Sequence, residues 1–339
     1  LEKDNGKVKN LMKRGTERLF HASIISFCIY LILIIPLYFI KEMPYLLMAL
    51  NGFFIFVYLI LPINRGVMQG KKQFSKLSLN LFVESAAKVA FSVLLIWIIW
   101  SISGEISIYG AIIGTLAGAM ITLYISRIQI KEVLNAKEIK AETLELKKDS
   151  KSVFLIMFAL SAFFTIDVFV AQLVFTKETA GLYAIASIIS KAIFWGTQPI
   201  GKAMFPISTE EKFDKDNKKN NHLRYNAILL LGIMIVCALA LFFFFPNLII
   251  KIFSGKYLQE SAQILFYLGL STSLLSFANV NILYNLSKNI AKNPSYYLLF
   301  LAIGILLLFI FNNSLVEFSL AFLTASAIFL LGSIILSTE

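Results

Sequence analysis

The sequence predicts an all-α, polytopic membrane protein with about ten transmembrane helices in two bundles of four and six. Three observations carry this. Apolar residues make up 58% of the 339 residues and charged residues 15%, with a mean hydropathy of +0.78, whereas soluble domains lie at about 45–50% apolar and about 25% charged. The apolar residues gather in runs of roughly 20, the length that crosses a hydrocarbon core at about 1.5 Å per residue. One long charged stretch, RIQIKEVLNAKEIKAETLELKKDSK at 127–151, carries seven Lys/Arg and five Asp/Glu and separates four runs from six.

In order, the runs are 20–40, 44–63, 77–100, 106–126, 152–175, 180–204, 225–248, 261–286, 296–311 and 315–335. This divides the chain into an N-terminal bundle at 1–126, a linker at 127–151 and a C-terminal bundle at 152–339. Within the linker, 132–148 contains no Gly or Pro and is expected to form a water-exposed helix that joins the bundles without locking them. The segment before the first run, LEKDNGKVKNLMKRGTERLF, reads as a basic loop arriving from earlier helices, and the absence of an initial Met suggests residues upstream.

Basic residues alternate between connections. Of the 31 Lys/Arg, 24 fall in the N-terminal segment and every second connection, while Lys41, Lys177, Lys251 and Lys256 fall on the opposite side. The positive-inside rule places the 24 in the cytoplasm. Topology therefore accounts for the net charge of +11 better than nucleic-acid binding does, because no basic face runs along one element. The connections on the other side are too short for a catalytic domain.

Several residues suggest packing roles. Gly110, Gly114 and Gly118 recur every four residues and would form a ridge open to close helix approach. Pro36, Pro62 and Pro199 are expected to kink or interrupt spans. Trp97 and Trp100 suit an interfacial belt. Cys28 and Cys237 lie inside runs and read as small buried hydrophobes. With two His and no HxxxH or CxxC spacing, no metal or cofactor is expected.

Four ionisable residues sit deep within runs: Glu84, Lys88, Asp167 and Lys191. Each costs at least about 2.5–3.5 kcal/mol at a helix centre unless it meets protein or water. Glu84 and Lys88 are four apart in the favourable order for a pair. They also join Asn80 and Ser92 in a polar row that should face a water-filled cavity. Tyr183, Ser187, Lys191, Gln198 and Lys202 share another helical face. Lys191 has no acidic residue three or four positions away and reads as an unpaired cation, whereas Lys202 is close enough to an end to snorkel. Asp167 points away from Ser161, Thr165 and Gln172, and suits either a cation on another helix or a transported H⁺ or Na⁺. Asn279, Asn281 and Asn285 could contact a sugar or hold helices together.

Two stretches echo each other: 46–71, ending in NRGVMQGKK, and 264–292, ending in YNLSKNIAK. If the bundles are parallel repeats, two helices precede Leu1.

NRGVMQGKKQFSKLSLNLFVESAAKV at 64–89, the Asp167 span, KETAGLYAIASIISK at 177–191 and FSGKYLQESAQIL at 253–265 resemble the Wzx-type flippases of the multidrug/oligosaccharidyl-lipid/polysaccharide exporter superfamily. The resemblance implies two six-helix bundles of which helices three to twelve are present, and a multi-pass, monomeric protein of the bacterial inner membrane. It implies translocation of a polyprenyl diphosphate-linked glycan to the outer leaflet, without enzymatic chemistry. On that pattern Lys88, Lys191, Arg65, Asn80 and Gln198 would bind the substrate, with Lys71 and Lys72 at the inner mouth. Asp167 or Glu84 would couple transport to H⁺ or Na⁺. The rival readings are a multidrug exporter of the same superfamily and a membrane polysaccharide polymerase or ligase.

Overall fold

A computed structural model describes residues 2–41, 44–102, 104, 107–140, 146–211, 217–288 and 293–338. Every regular element of four residues or more among them is an α-helix, and the chain divides into two compact units, Leu1–Thr143 and Leu144–Glu339. The first holds α1 (Glu2–Lys41), α2 (Tyr45–Gly52), α3 (Phe54–Gly70), α4 (Phe74–Ile102), α5 (Ser107–Gln129) and α6 (Lys131–Leu134). The second holds α7 (Leu146–Val174), α8 (Lys177–Glu211), α9 (Asn217–Phe244), α10 (Pro246–Ser254), α11 (Gln259–Lys288), α12 (Ser295–Ile310) and α13 (Leu315–Thr338). Among the described residues, nine helical segments are long and apolar enough to cross a membrane, with α2 and α3 together forming one of them. The tenth expected span is α12, 16 residues long, or roughly 24 Å at the helical rise.

The N-terminal segment differs from the expected loop, because α1 runs unbroken from it into the first span. No proline precedes Pro36, and the polar half of the helix is held by the start of the linker. The Ile139 N–H donates to the Gly6 carbonyl at 3.2 Å, Lys9 Nζ to the Ala136 carbonyl at 2.9 Å and Asn10 Nδ2 to Glu138 Oε1 at 2.6 Å. A side chain at Gly6 would strike the Lys137 carbonyl. The Asn10 hydrogen bond, with Lys13 and Lys9 nearby, holds the Glu138 carboxyl below its ordinary range.

The linker is therefore not a free helix in its described part. Between the end of α5 at Gln129 and the start of α7 at Leu146, only Lys131–Leu134 is helical among the described residues; 135–140 are irregular, and 141–145 lie outside the described residues. Ile130 and Val133 are buried with Met12, Met68 and Leu77, so docking on α1, α3 and α4 overrides the local helix propensity.

Breaks within the predicted spans do not fall at the three prolines expected to make them. Helices continue through Pro36, Pro62 and Pro199, and the interruptions come at Phe53 and Phe245. The second has a simple cause: Pro246 takes the first turn of α10, a position that needs no N–H donor. Gly255, with φ +72°, then ends that helix in the left-handed conformation. The second basic turn of the sequence echo includes 289–292, which lie outside the described residues.

The glycine ridge packs as its spacing predicts. Gly110, Gly114 and Gly118 are buried, and α5 lies so close to α4 that a Cβ at Gly110 would come within 2.8 Å of the Leu95 carbonyl oxygen, and one at Gly118 within 2.6 Å of the Lys88 nitrogen. In the second unit, α11 is the central helix, packed by α8, α9 and α13. Phe163, Tyr183, Tyr297, Phe318, Phe322 and Phe329 fill the space around it and under α12. Cys28 and Cys237 are not buried hydrophobes: both thiols are free and exposed on the outward faces of α1 and α9, where small apolar side chains meet lipid at little cost. Trp97 and Trp100 are likewise exposed near the end of α4.

Backbone lies against the ridge, and backbone cannot swing aside as a side chain can. Gly114→Val is expected to destabilise the first unit by about 1–3 kcal/mol or more, whereas Gly196→Ala, whose Cβ would meet nothing within 4 Å, should cost nothing and stabilise α8 by up to about 1 kcal/mol. Unfolding midpoints of the two variants in the same detergent check this.

Candidate functional site

The deep charges form two clusters, one in each unit. In the first unit, α3 continues through Pro62 to Gly70, so Arg65 stands on a helix rather than beyond the end of the predicted span 44–63. It faces α4, where Asn80, Glu84 and Lys88 stand one turn apart. Arg65 Nε donates to Asn80 Oδ1 at 2.8 Å and Nη2 to Glu84 Oε2 at 2.6 Å. The other carboxylate oxygen, Oε1, accepts from Tyr58 Oη at 3.0 Å and from the Lys88 ammonium, which also reaches the Tyr58 hydroxyl. Lys88 Nζ sits 4.9 Å from the Tyr58 ring centroid, close enough for cation–π attraction.

Part of the polar row on α4 is bonded to α5 rather than turned to open water. Asn80 Nδ2 donates to the Thr122 carbonyl at 3.3 Å and Ser92 Oγ to the Ala111 carbonyl at 3.1 Å, both on α5. Asn80 and Glu84 are buried, while Lys88 is only half-buried. Tyr58 escaped the sequence reading. It stands seven residues before Arg65 and so on the same face of α3, a relation that becomes visible once the helix is known to pass Pro62. With two cations against one carboxylate, the cluster keeps one net positive charge in an otherwise apolar helix pair.

In the second unit, Lys191 is not the unpaired cation expected. Its Nζ donates to Asp167 Oδ1 at 2.8 Å from the neighbouring helix α7, and lies 5.2 Å from the Phe164 ring centroid. Asp167 Oδ2 accepts from Ser187 Oγ at 2.6 Å and from Tyr183 Oη at 3.3 Å. A search of sequence neighbours could not find this partner, because it lies 24 positions away. The cluster is neutral, and Asp167 is wholly buried. Ser161, Thr165 and Gln172 are exposed on α7, so the opposite direction of Asp167 is as its helical angle predicts. Gln198, half-buried two turns beyond Lys191, stands outside the group bonded to Asp167. Asn281 Nδ2 donates to the Ser333 carbonyl at 2.9 Å and so joins α11 to α13; Asn279 and Asn285 are also buried.

The family described as polysaccharide biosynthesis protein matches residues 5–212, more than half of the chain, including both charged clusters. The chain belongs to the polysaccharide biosynthesis protein family. No curated protein matches it. Among solved structures, the fold of this family member is similar to that of MATE in the bent conformation, with a TM-score of 0.67 at 13% identity over 98% of this chain and 83% of that one. It is also similar to MATE in the straight conformation, with a TM-score of 0.66 at 14% identity over 98% and 83% of the two chains. A third similar structure is the outward-facing conformation of a multidrug resistance MATE family transporter of the MOP superfamily, with a TM-score of 0.67 at 12% identity over 99% and 82%. At such identities the likeness is one of fold. This family member is thus a multi-pass helical membrane protein on a MATE-like scaffold.

Removing one member of a buried pair strands the other's charge. Asp167→Asn is therefore expected to destabilise the second unit by about 3–5 kcal/mol, and the double variant Asp167→Asn/Lys191→Met should regain most of that loss. Unfolding of the two variants and the parent in one detergent tests the pairing; a double variant no more stable than Asp167→Asn alone would contradict it.

Proposed function

We propose that this protein is a flippase, which moves a polyprenyl diphosphate-linked oligosaccharide from the cytoplasmic to the outer leaflet of the bacterial inner membrane by alternating access. The family to which it belongs and the transporter fold that it shares support transport rather than enzymatic chemistry. The observation that carries the reading is the Arg65–Glu84–Lys88 cluster. A diphosphate crossing the bilayer needs cations already dehydrated and held in place. Here two cations share one carboxylate, so a phosphate can draw Lys88 from Glu84 and leave Glu84 paired with Arg65. Lys88 is half-buried, whereas Asn80 and Glu84 behind it are buried, which makes its ammonium the accessible end of the cluster.

Arg65 and Asn80 position that end, and Lys191 and Gln198 form a polar face on α8 of the second unit. Lys191 joins the substrate only when Asp167 releases it. A proton or Na⁺ on Asp167 would do so, which makes this pair the element that couples transport to an ion gradient. Glu84 keeps Arg65 throughout and serves the cluster by orientation. The basic connections face the cytoplasm.

The MATE-like fold favours one alternative, export of a cationic drug. An organic cation, however, gains nothing from a cluster with net positive charge, and the one wholly buried carboxylate among the described residues, Asp167, is already neutralised by Lys191.

In proteoliposomes, Lys88→Ala is expected to reduce flipping of a polyprenyl diphosphate-linked sugar at least tenfold and Lys88→Arg to restore part of it, with unchanged unfolding of both variants. Binding of an organic cation in preference to the polyprenyl diphosphate would overturn the substrate class. Flipping that ignores both pH and Na⁺ gradients would overturn the role of Asp167.

A further inference from the structure

A second basic site lies in the first unit, apart from the Glu84 cluster. A cavity of about 360 Å³ is lined by Lys9, Met12, Lys13 and Thr16 with Glu17 on α1, by Ile60 and Asn64 on α3, by Arg127 on α5 and by Leu134 on α6. Three cations face one carboxylate across it. Lys9 and Lys13 are steadied from behind, Lys9 by the Ala136 carbonyl at 2.9 Å and Lys13 by Glu138 at 3.7 Å. Arg127 has no hydrogen bond or ion pair among the described residues, and its guanidinium fork is therefore available. Asn64, buried at the cavity wall, is fixed by the hydrogen bond from its Nδ2 to Ser126 Oγ at 2.7 Å.

A third of the lining residues are apolar. Met12, Ile60 and Leu134 form a greasy wall beside the cations. A free inorganic anion has no use for such a wall. A phospholipid does, because the glycerol and first methylenes can lie on the apolar side while the phosphate meets Arg127 and the two lysines. The linker closes the site through Leu134 and fixes both lysines through residues 136 and 138, so the occupant would also tie the start of the linker to α1.

We propose that this cavity binds the phosphate headgroup of an anionic membrane phospholipid. Glu17 is the one lining group that opposes such a ligand, and this makes the proposal testable in both directions. With the full chain purified in a neutral detergent, dioleoyl-phosphatidylglycerol should raise the unfolding midpoint saturably, and dioleoyl-phosphatidylcholine should not. Lys13→Glu combined with Arg127→Glu should weaken the apparent phosphatidylglycerol affinity by about tenfold or more. Glu17→Gln should strengthen it by about threefold, a gain that misfolding cannot mimic. Equal stabilisation by phosphatidylcholine, or by inorganic phosphate at the same concentration, would overturn the lipid assignment. Unchanged phosphatidylglycerol affinity in both variants would overturn the site.

Discussion

A charged side chain inside an apolar helix bundle has to be neutralised where it stands, and each unit of this protein meets that demand with its own partners. Glu84 collects Arg65, Lys88 and Tyr58 from two helices, and Asp167 collects Lys191, Ser187 and Tyr183 from the helix next to its own. Burial of an isolated charge costs several kcal/mol, so each carboxylate constrains the register of the helices around it. The helices are placed as much by these polar groups as by apolar packing, which is weak between helices already surrounded by lipid.

The two clusters solve the same problem with different balances. One is neutral with its carboxylate fully buried, an arrangement that the proposed function uses as a switch. The other keeps a net positive charge and a half-buried ammonium, an arrangement suited to an anionic ligand. The glycine ridge supports the second. With backbone against backbone along α4 and α5, Gly118 abuts Lys88 itself, so the helix that carries Asn80, Glu84 and Lys88 has little freedom to shift. A rigid length of backbone behind a flexible lysine is a sound way to hold a cation ready.

Much of this was legible before any coordinates. Spans, the glycine ridge and the depth of Glu84, Lys88, Asp167 and Lys191 all follow from hydropathy and the 3.6-residue period, which are local properties. The failures share one cause, which is that pairing across helices is not local. Lys191 reads as unpaired because its carboxylate lies on another helix. The Asn80–Ser92 row reads as wet because the acceptors on α5 have no signature in the residues of α4. The linker reads as a helix because nothing in its own composition shows that Ile130 and Val133 dock beside Met12 and Met68.

Amino-acid order alone was enough to establish a multi-pass α-helical protein and to mark which ionisable groups lie deep, since solvent transfer energies act residue by residue along the chain. Which cation neutralises which carboxylate, which one keeps surplus charge, and where α1, α3 and α5 leave a basic cavity emerged from the packed helices. Those outcomes depend on distances between segments far apart in the chain, and no periodicity within a single helix encodes them.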